Sequence, residues 1–186
     1  IDLLFLKKNS MIEVSVDRLK KNIRNVPDFP KKGIQFKDIT TLIKHPELFK
    51  NVVDSLSSIY QSKGITKVAG IEARGFILGG ALAAKLNAGF VPVRKPRKLP
   101  SEVHRIEYEL EYGTDGVEIH TDAFDENDVI LLHDDLLATG GTAKASVDLI
   151  KKANVQQVYV CFLCELDFLQ GRKRLEDYDV YSLIHY

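Results

Sequence analysis

Cysteine is scarce in this chain of 186 residues, and two cysteines, Cys161 and Cys164, cannot build a disulfide framework. They lie in Val158-Tyr-Val-Cys-Phe-Leu-Cys164, which reads as a buried strand. Residues three apart on a strand face opposite sides. A redox or zinc role is therefore disfavoured, and the second ligand pair of a zinc site is missing. The pair reads as two small core residues in a reducing, cytoplasmic setting. Long apolar runs are missing as well; none approaches the roughly 18 residues that cross a bilayer. In the opening Ile1-Asp2-Leu-Leu-Phe-Leu-Lys7-Lys8 the positive charges follow the apolar stretch, the reverse of a secretory leader. Methionine occurs once, at Met11, so the biological start is expected there, with residues 1–10 as an upstream extension. Net charge is absent too. Lys plus Arg number 26 and Asp plus Glu number 26, which argues against a dedicated nucleic-acid binder while leaving room for a local basic site. Repeats, low-complexity tracts and long linkers are also lacking.

What is present is ordinary globular composition, 45% hydrophobic and 28% charged, in a length that suits one domain. Met11–Asn25 is predicted as a helix, with Ile12, Val16, Leu19 and Ile23 at helical spacing. A Pro-rich connector, Val26–Gly33, follows, and then an extended stretch, Ile34–Ile39. Pro46 opens a helix whose apolar stripe runs from Leu48 to Tyr60. Lys67–Ile71 and Phe90–Val93 read as strands around an Ala/Gly-rich helix, Phe76–Leu86. Ile106, Tyr108, Leu110 and Tyr112 alternate with acidic residues, and Gly113–Gly116 turns that strand back into Val117–His120 as a hairpin. Val129–His133, a helix over Thr142–Ala153, and strands over Val155–Cys164 and Tyr178–Tyr186 complete the chain. Alternating strands and helices imply an α/β fold, a parallel twisted sheet flanked by helices, with ligands at the C-terminal strand ends.

The chemistry concentrates in Val129-Ile-Leu-Leu-His-Asp134-Asp135-Leu-Leu-Ala138-Thr139-Gly140-Gly141-Thr142. A strand ends in adjacent carboxylates, and a short Thr/Gly loop then opens a helix. Unpaired N–H groups at a helix N-terminus bind phosphate, and glycine lets the backbone approach it closely. The carboxylates beside it suit the hydroxyls of a sugar attached to that phosphate. The segment is not a Walker A loop.

This stretch resembles the phosphoribosyl-pyrophosphate (PRPP) motif of the type I phosphoribosyltransferases, those acting on adenine in particular. Pro27–Thr40 is similar to that family's N-terminal hood arm, and 26–40 is assigned to it here. Gly70-Ile-Glu-Ala-Arg-Gly-Phe-Ile-Leu-Gly79 resembles its pyrophosphate loop. Val93-Arg-Lys-Pro-Arg-Lys-Leu-Pro100 and Tyr108-Glu-Leu-Glu-Tyr-Gly113 resemble its mobile β-hairpin catalytic loop, here 94–120. The motifs follow the family's order from about residue 15 onward. The resemblance implies a type I phosphoribosyltransferase fold and a purine salvage reaction, adenine plus PRPP giving AMP and pyrophosphate with Mg2+ held mainly by PRPP.

By the same resemblance, Ala138, Thr139, Gly140, Gly141 and Thr142 cradle the 5′-phosphate, while Asp134 and Asp135 hold the ribose hydroxyls. Ala73, Arg74, Arg94, Lys95, Lys98 and Tyr112 take the pyrophosphate. Gln35, Phe36 and Lys37 sandwich adenine with Leu136. Glu111 matches the catalytic glutamate; spacing alone leaves Glu107, Glu109 and Glu111 equivalent on one strand face. The cluster Arg94–Lys98 also reads as a polyanion site or as a solvated basic loop. A homodimer, with no nucleic-acid or membrane partner, is implied. Two positions depart from the family pattern: Arg97 stands where glycine is common, and His133 where an aliphatic residue is common. Two other readings remain, an enzyme for another base (hypoxanthine, xanthine or orotate) and a PRPP-sensing regulator without catalysis. The hood arm argues against the first, and the basic loop with the glutamate strand argues against the second.

Overall fold

A computed structural model describes residues 15–109 and 114–186. The chain falls into two compact units, Ile1–Ser55 and Leu56–Tyr186. In the first, helix α1 spans Val16–Lys21, and the Ser15 hydroxyl caps it by accepting the Arg18 N–H at 3.3 Å. It is shorter than the predicted helix over 11–25; residues 11–14 lie outside the described residues. Past Asn22 the chain becomes strand β1, Arg24–Pro27, paired antiparallel with β2, Gln35–Asp38. Side chains decide this change. The Arg24 guanidinium binds Asp38 at 2.5 Å and the Arg24 N–H reaches the Thr41 hydroxyl at 3.1 Å, so neither continues a helix. Val26 and Pro27, expected in an irregular connector, therefore close β1. The Phe29–Pro30 peptide is cis. Helix α2, Thr40–Ile43, follows. The Thr40 hydroxyl and Arg24 hold the Asp38 carboxyl down at about 2.

Helix α3, Pro46–Tyr60, starts at the proline as expected and buries Leu48, Val52, Leu56 and Tyr60. The larger unit then runs β3 (Lys67–Ile71), α4 (Gly75–Leu86), β4 (Gly89–Val93), β5 (Val103–Glu109) and β6 (Thr114–His120). It continues with β7 (Val129–Leu137), α5 (Gly141–Lys151), β8 (Gln157–Glu165), two 3-10 turns at Asp167–Leu169 and Gly171–Leu175, and β9 (Asp179–His185). Five strands form one parallel sheet in the order β4-β3-β7-β8-β9, and β5 and β6 form a separate antiparallel hairpin. A main-chain bridge between Arg94 and Glu118 ties this hairpin to the end of β4.

Leu132, Val160 and Phe162 of the sheet pack with Ala143, Val147 and Ile150 of α5 in one core cluster. Burying each of the larger apolar side chains is worth about 1.5–3 kcal/mol. Cys161 and Cys164 form no disulfide and lie buried on β8, and burial pushes the Cys161 thiol up. Strand β7 departs from the expected Val129–His133. Pairing with β8 continues through Asp134↔Phe162, Leu136↔Cys164 and Leu137↔Glu165, so the two aspartates lie inside the strand. Among the described residues no helix is long and apolar enough to cross a membrane.

Candidate functional site

The parallel sheet delivers the ends of β3, β4 and β7 to one edge. The segments that follow, 72–74, 94–98 and 138–140, carry Arg74, Arg94, Lys95, Lys98 and Thr139. Residues 136–143 with Asp134 and Phe162 line a cleft. Gly140 has a φ of +80°, open to glycine at little cost, and precedes α5. The backbone of Gly171 backs this bend: a side chain at either glycine would run into the other's backbone. Gly171 is held by its neighbour Arg172, which pairs with Glu165 at 2.5 Å and donates to the Val180 carbonyl at 2.7 Å. The first N–H groups of α5 and the Thr142 hydroxyl thus sit on a rigid support.

Asp135 is only 3% exposed and faces Arg74, whose Nε lies 3.0 Å from Oδ2. Asp134 Oδ1 accepts the Asp135 N–H at 2.8 Å. Burial and the adjacent Asp135 charge push the Asp134 carboxyl up. Burial raises Asp135 as well, against the pull of the Arg74 guanidinium. The Glu72–Ala73 peptide between β3 and α4 is cis. Gly75 must be small, since a Cβ there would approach Asp134 Oδ1 and the His133 carbonyl at 2.9 Å.

The basic residues are held by acids that sequence reasoning passed over. Glu72 accepts from Arg94 Nη2 at 3.0 Å and from the Lys95 N–H at 3.0 Å. Burial raises the Glu72 carboxyl less than the Arg94 bond lowers it. Arg94 Nη1 also donates to the Lys98 carbonyl at 2.8 Å, and the Lys98 side chain is exposed. Lys95 pairs with Asp115. Glu118, only 1% exposed, takes the Arg97 N–H at 2.9 Å and the Arg105 guanidinium. The alternation of Val117, Glu118 and Ile119 offered no sign that this carboxylate lies inside.

Gln35, Phe36 and Lys37 lie on β2 of the smaller unit, where Phe36 meets Phe29 edge-on at 5.1 Å and Asn25 donates to Gln35 at 2.6 Å. Leu136 lines the cleft of the larger unit. Glu111 and Tyr112 lie outside the described residues. His133, which needed a buried partner, has Nδ1 3.2 Å from Cys161 Sγ; Nε2 finds none among the described residues.

Comparison with known proteins agrees with this geometry. The phosphoribosyl transferase domain family matches residues 38–185. An adenine phosphoribosyltransferase of Citrifermentans bemidjiense is 57% identical over 171 residues, covering 92% of this chain and 100% of that one. The crystal structure of adenine phosphoribosyltransferase from Rhodothermus marinus superposes with a TM-score of 0.88 at 52% identity, over 92% of this chain and 98% of that one. The Trypanosoma brucei enzyme, solved in complex with AMP, pyrophosphate and ribose-5-phosphate, has a TM-score of 0.83 at 27% identity, over 91% of this chain and 79% of that one. The chain belongs to the phosphoribosyltransferase family and, within it, to the adenine phosphoribosyltransferases.

Proposed function

We propose that this chain transfers the 5-phosphoribosyl group of PRPP to adenine, giving AMP and pyrophosphate. The observation that carries the reading is the cleft at the end of β7, where Asp134, with the buried Asp135 next to it, stands beside the N-terminal amides of α5. In this reading the amides of 138–142 and the Thr139 and Thr142 hydroxyls hold the 5′-phosphate. Asp134 and Asp135 accept the ribose 2′- and 3′-hydroxyls, and the Arg74 guanidinium beside Asp135 works against the burial that raises its carboxyl. Ala73, Arg74, Arg94, Lys95, Lys98 and Tyr112 receive the departing pyrophosphate, whose charge the cationic groups offset. Glu111 steadies positive charge at ribose C1 or manages the proton of the incoming purine. Gln35, Phe36, Lys37 and Leu136 hold the base.

Magnesium enters as part of the PRPP substrate, where it neutralises the diphosphate. The donor set fits that arrangement. Asp134 and Asp135 are turned to Arg74 and to each other. In the metal-type grouping Glu165, Asp167 and His185, Glu165 is committed to Arg172 and Ser182. The whole chain acts as one phosphoribosyltransferase domain, with 26–40 as hood and 94–120 as the closing hairpin, which excludes the water that would hydrolyse PRPP. A cytoplasmic homodimer completes the reading. Phe90 on edge strand β4 and Ile77 on α4 are exposed apolar residues of the kind a second copy covers.

The test is an assay with Mg2+-PRPP and each free purine or orotate, reading nucleotide formation. AMP formation with adenine, at least about a hundredfold above the other bases, is expected, because a site that pairs with an exocyclic amine rejects analogues lacking it. Turnover of another base instead of adenine, or none at all, overturns the reading.

A further inference from the structure

The two ends of the proposed PRPP site are joined by one line of hydrogen bonds. Thr142 Oγ1, at the start of α5, lies 2.9 Å from the hydroxyl of Tyr108 on β5. The Tyr108 hydroxyl lies 3.3 Å from Oδ2 of Asp115 on β6. Asp115 Oδ2 in turn takes the Lys95 ammonium, and its Oδ1 accepts the Gly116 N–H at 2.8 Å. The Tyr108 ring lies beside Gly141 of the phosphate loop, where a Cβ would stand in ordinary contact with it at 3.6 Å. Thr142 and Lys95 have roles in substrate binding; Tyr108 and Asp115, between them, have none.

The directions of these bonds follow from donor counting. Burial works to raise the Asp115 carboxyl, but the Lys95 ammonium and the Gly116 N–H outweigh it, so Asp115 is an ionised, acceptor-only group. A tyrosine hydroxyl has one proton. Tyr108 therefore donates to Asp115 and accepts from Thr142. That arrangement turns the Thr142 proton away from the cleft. A phosphate is also acceptor-only and needs that proton, so engaging it breaks the Thr142–Tyr108 bond, which the Asp115 charge strengthens by polarising the Tyr108 hydroxyl. At the other end, Asp115 neutralises the ammonium that a diphosphate needs.

We propose that Asp115 is a competitor carboxylate set against both ends of the PRPP site: it neutralises Lys95 directly and, through Tyr108, draws the Thr142 proton off the 5′-phosphate position. Tyr108 is then a positioning residue acting on Thr142. The inference rests on the phosphate and pyrophosphate assignments made under the proposed function. By linkage, whatever binds at either end works against the same carboxylate.

The experiment is calorimetric titration of the full chain with ribose 5-phosphate alone and with Mg2+-pyrophosphate alone, for wild type, Asp115→Ala, Tyr108→Phe and the double variant. Asp115→Ala is expected to tighten both ligands by about three- to tenfold, the range of a partly exposed ion pair together with one charge-assisted hydrogen bond. In the Tyr108→Phe background, removing Asp115 still tightens pyrophosphate and no longer affects ribose 5-phosphate. That split separates a relay through Tyr108 from a general change of charge or fold. Asp115→Asn, which keeps the shape and the Gly116 acceptor, should tighten pyrophosphate likewise. Unchanged affinities in Asp115→Ala, or an equal gain in ribose 5-phosphate with and without the Tyr108 hydroxyl, overturn the proposal. Failure of the wild type to bind ribose 5-phosphate overturns the phosphate-loop reading itself, and the proposal with it.

Discussion

The main-chain N–H of Arg97 donates to Oε2 of Glu118 at 2.9 Å from a backbone whose φ is +66°. An L-residue in that region carries roughly 1–2 kcal/mol of steric cost, so the bond to a buried carboxylate shapes the basic loop against local preference. Arg97→Gly relieves the clash but adds about 0.4–1 kcal/mol of freedom to the unfolded chain, leaving stability within about 1 kcal/mol of wild type. Glu118→Ala removes the acceptor and strands the Arg105 guanidinium. Full burial of such a pair would make that cost about 3–5 kcal/mol, and the exposed side of Arg105 reduces it to about 2. Urea unfolding of both variants checks this; equally small effects would show that Glu118 does not hold the loop.

Gly171 is a second position that sequence reasoning left aside. A methyl there meets the Ala138 carbonyl and the Gly140 amide, both backbone, so the bend must move. Gly171→Ala is expected to cost about 1–3 kcal/mol and to weaken ribose 5-phosphate binding on the order of tenfold or more, since small misplacements of a binding group are expensive. Gly80→Ala, on the helix α4 with open space around it, is the matched control and should leave binding unchanged. Equal binding by the two variants would detach Gly171 from the phosphate loop.

Asp134→Asn combined with Asp135→Asn should abolish PRPP binding and leave the fold intact. Asp135 is buried, Asp134 beside it is partly so, and replacing both relieves the repulsion between them. Native-like unfolding with no detectable PRPP binding is the expected pair of results. Tight binding by the double variant would remove the sugar-hydroxyl assignment.

His133 makes stability depend on pH. Burial depresses its imidazole from 6.5 to about 4, so the unfolded chain binds the proton more readily. Stability from this group is complete above about pH 6.5 and is lost as pH falls towards 4, a span worth about 3 kcal/mol. Asp134, raised by burial, contributes with the opposite sign, which is why a comparison between variants is needed. His133→Leu should flatten the acid limb between pH 6.5 and 4 relative to wild type. Parallel stability curves for the two would place the loss elsewhere.

Local signals explain how much of this was legible. Pro46, the apolar stripe after it and the run Lys67–Ile71 each carry their structure in neighbouring residues, and the structure matches them. The Asp134–Thr142 segment was readable because the strand, the carboxylates and the phosphate-type loop are consecutive. Three boundaries were misplaced for a non-local reason: β6 begins at Thr114, inside the turn expected over Gly113–Gly116, because 114–116 pair with 107–109. Strand β7 passes the aspartates because β8 pairs with them, and α1 stops early because Arg24 is claimed by Asp38. Glu72, Asp115, Glu118 and Gly171 were invisible in the same way; each acts on a residue that the fold, not the chain order, brings near. The base-binding and catalytic roles of Gln35, Phe36, Lys37 and Glu111 rest on the family resemblance.

The most direct measurement is a crystal structure of this chain with AMP. The 5′-phosphate should lie against the main-chain amides of residues 138–142 with the Thr142 hydroxyl turned to it, and the ribose hydroxyls within hydrogen-bond reach of Asp134 and Asp135. A phosphate bound anywhere else, with that loop unengaged, would contradict the entire reading.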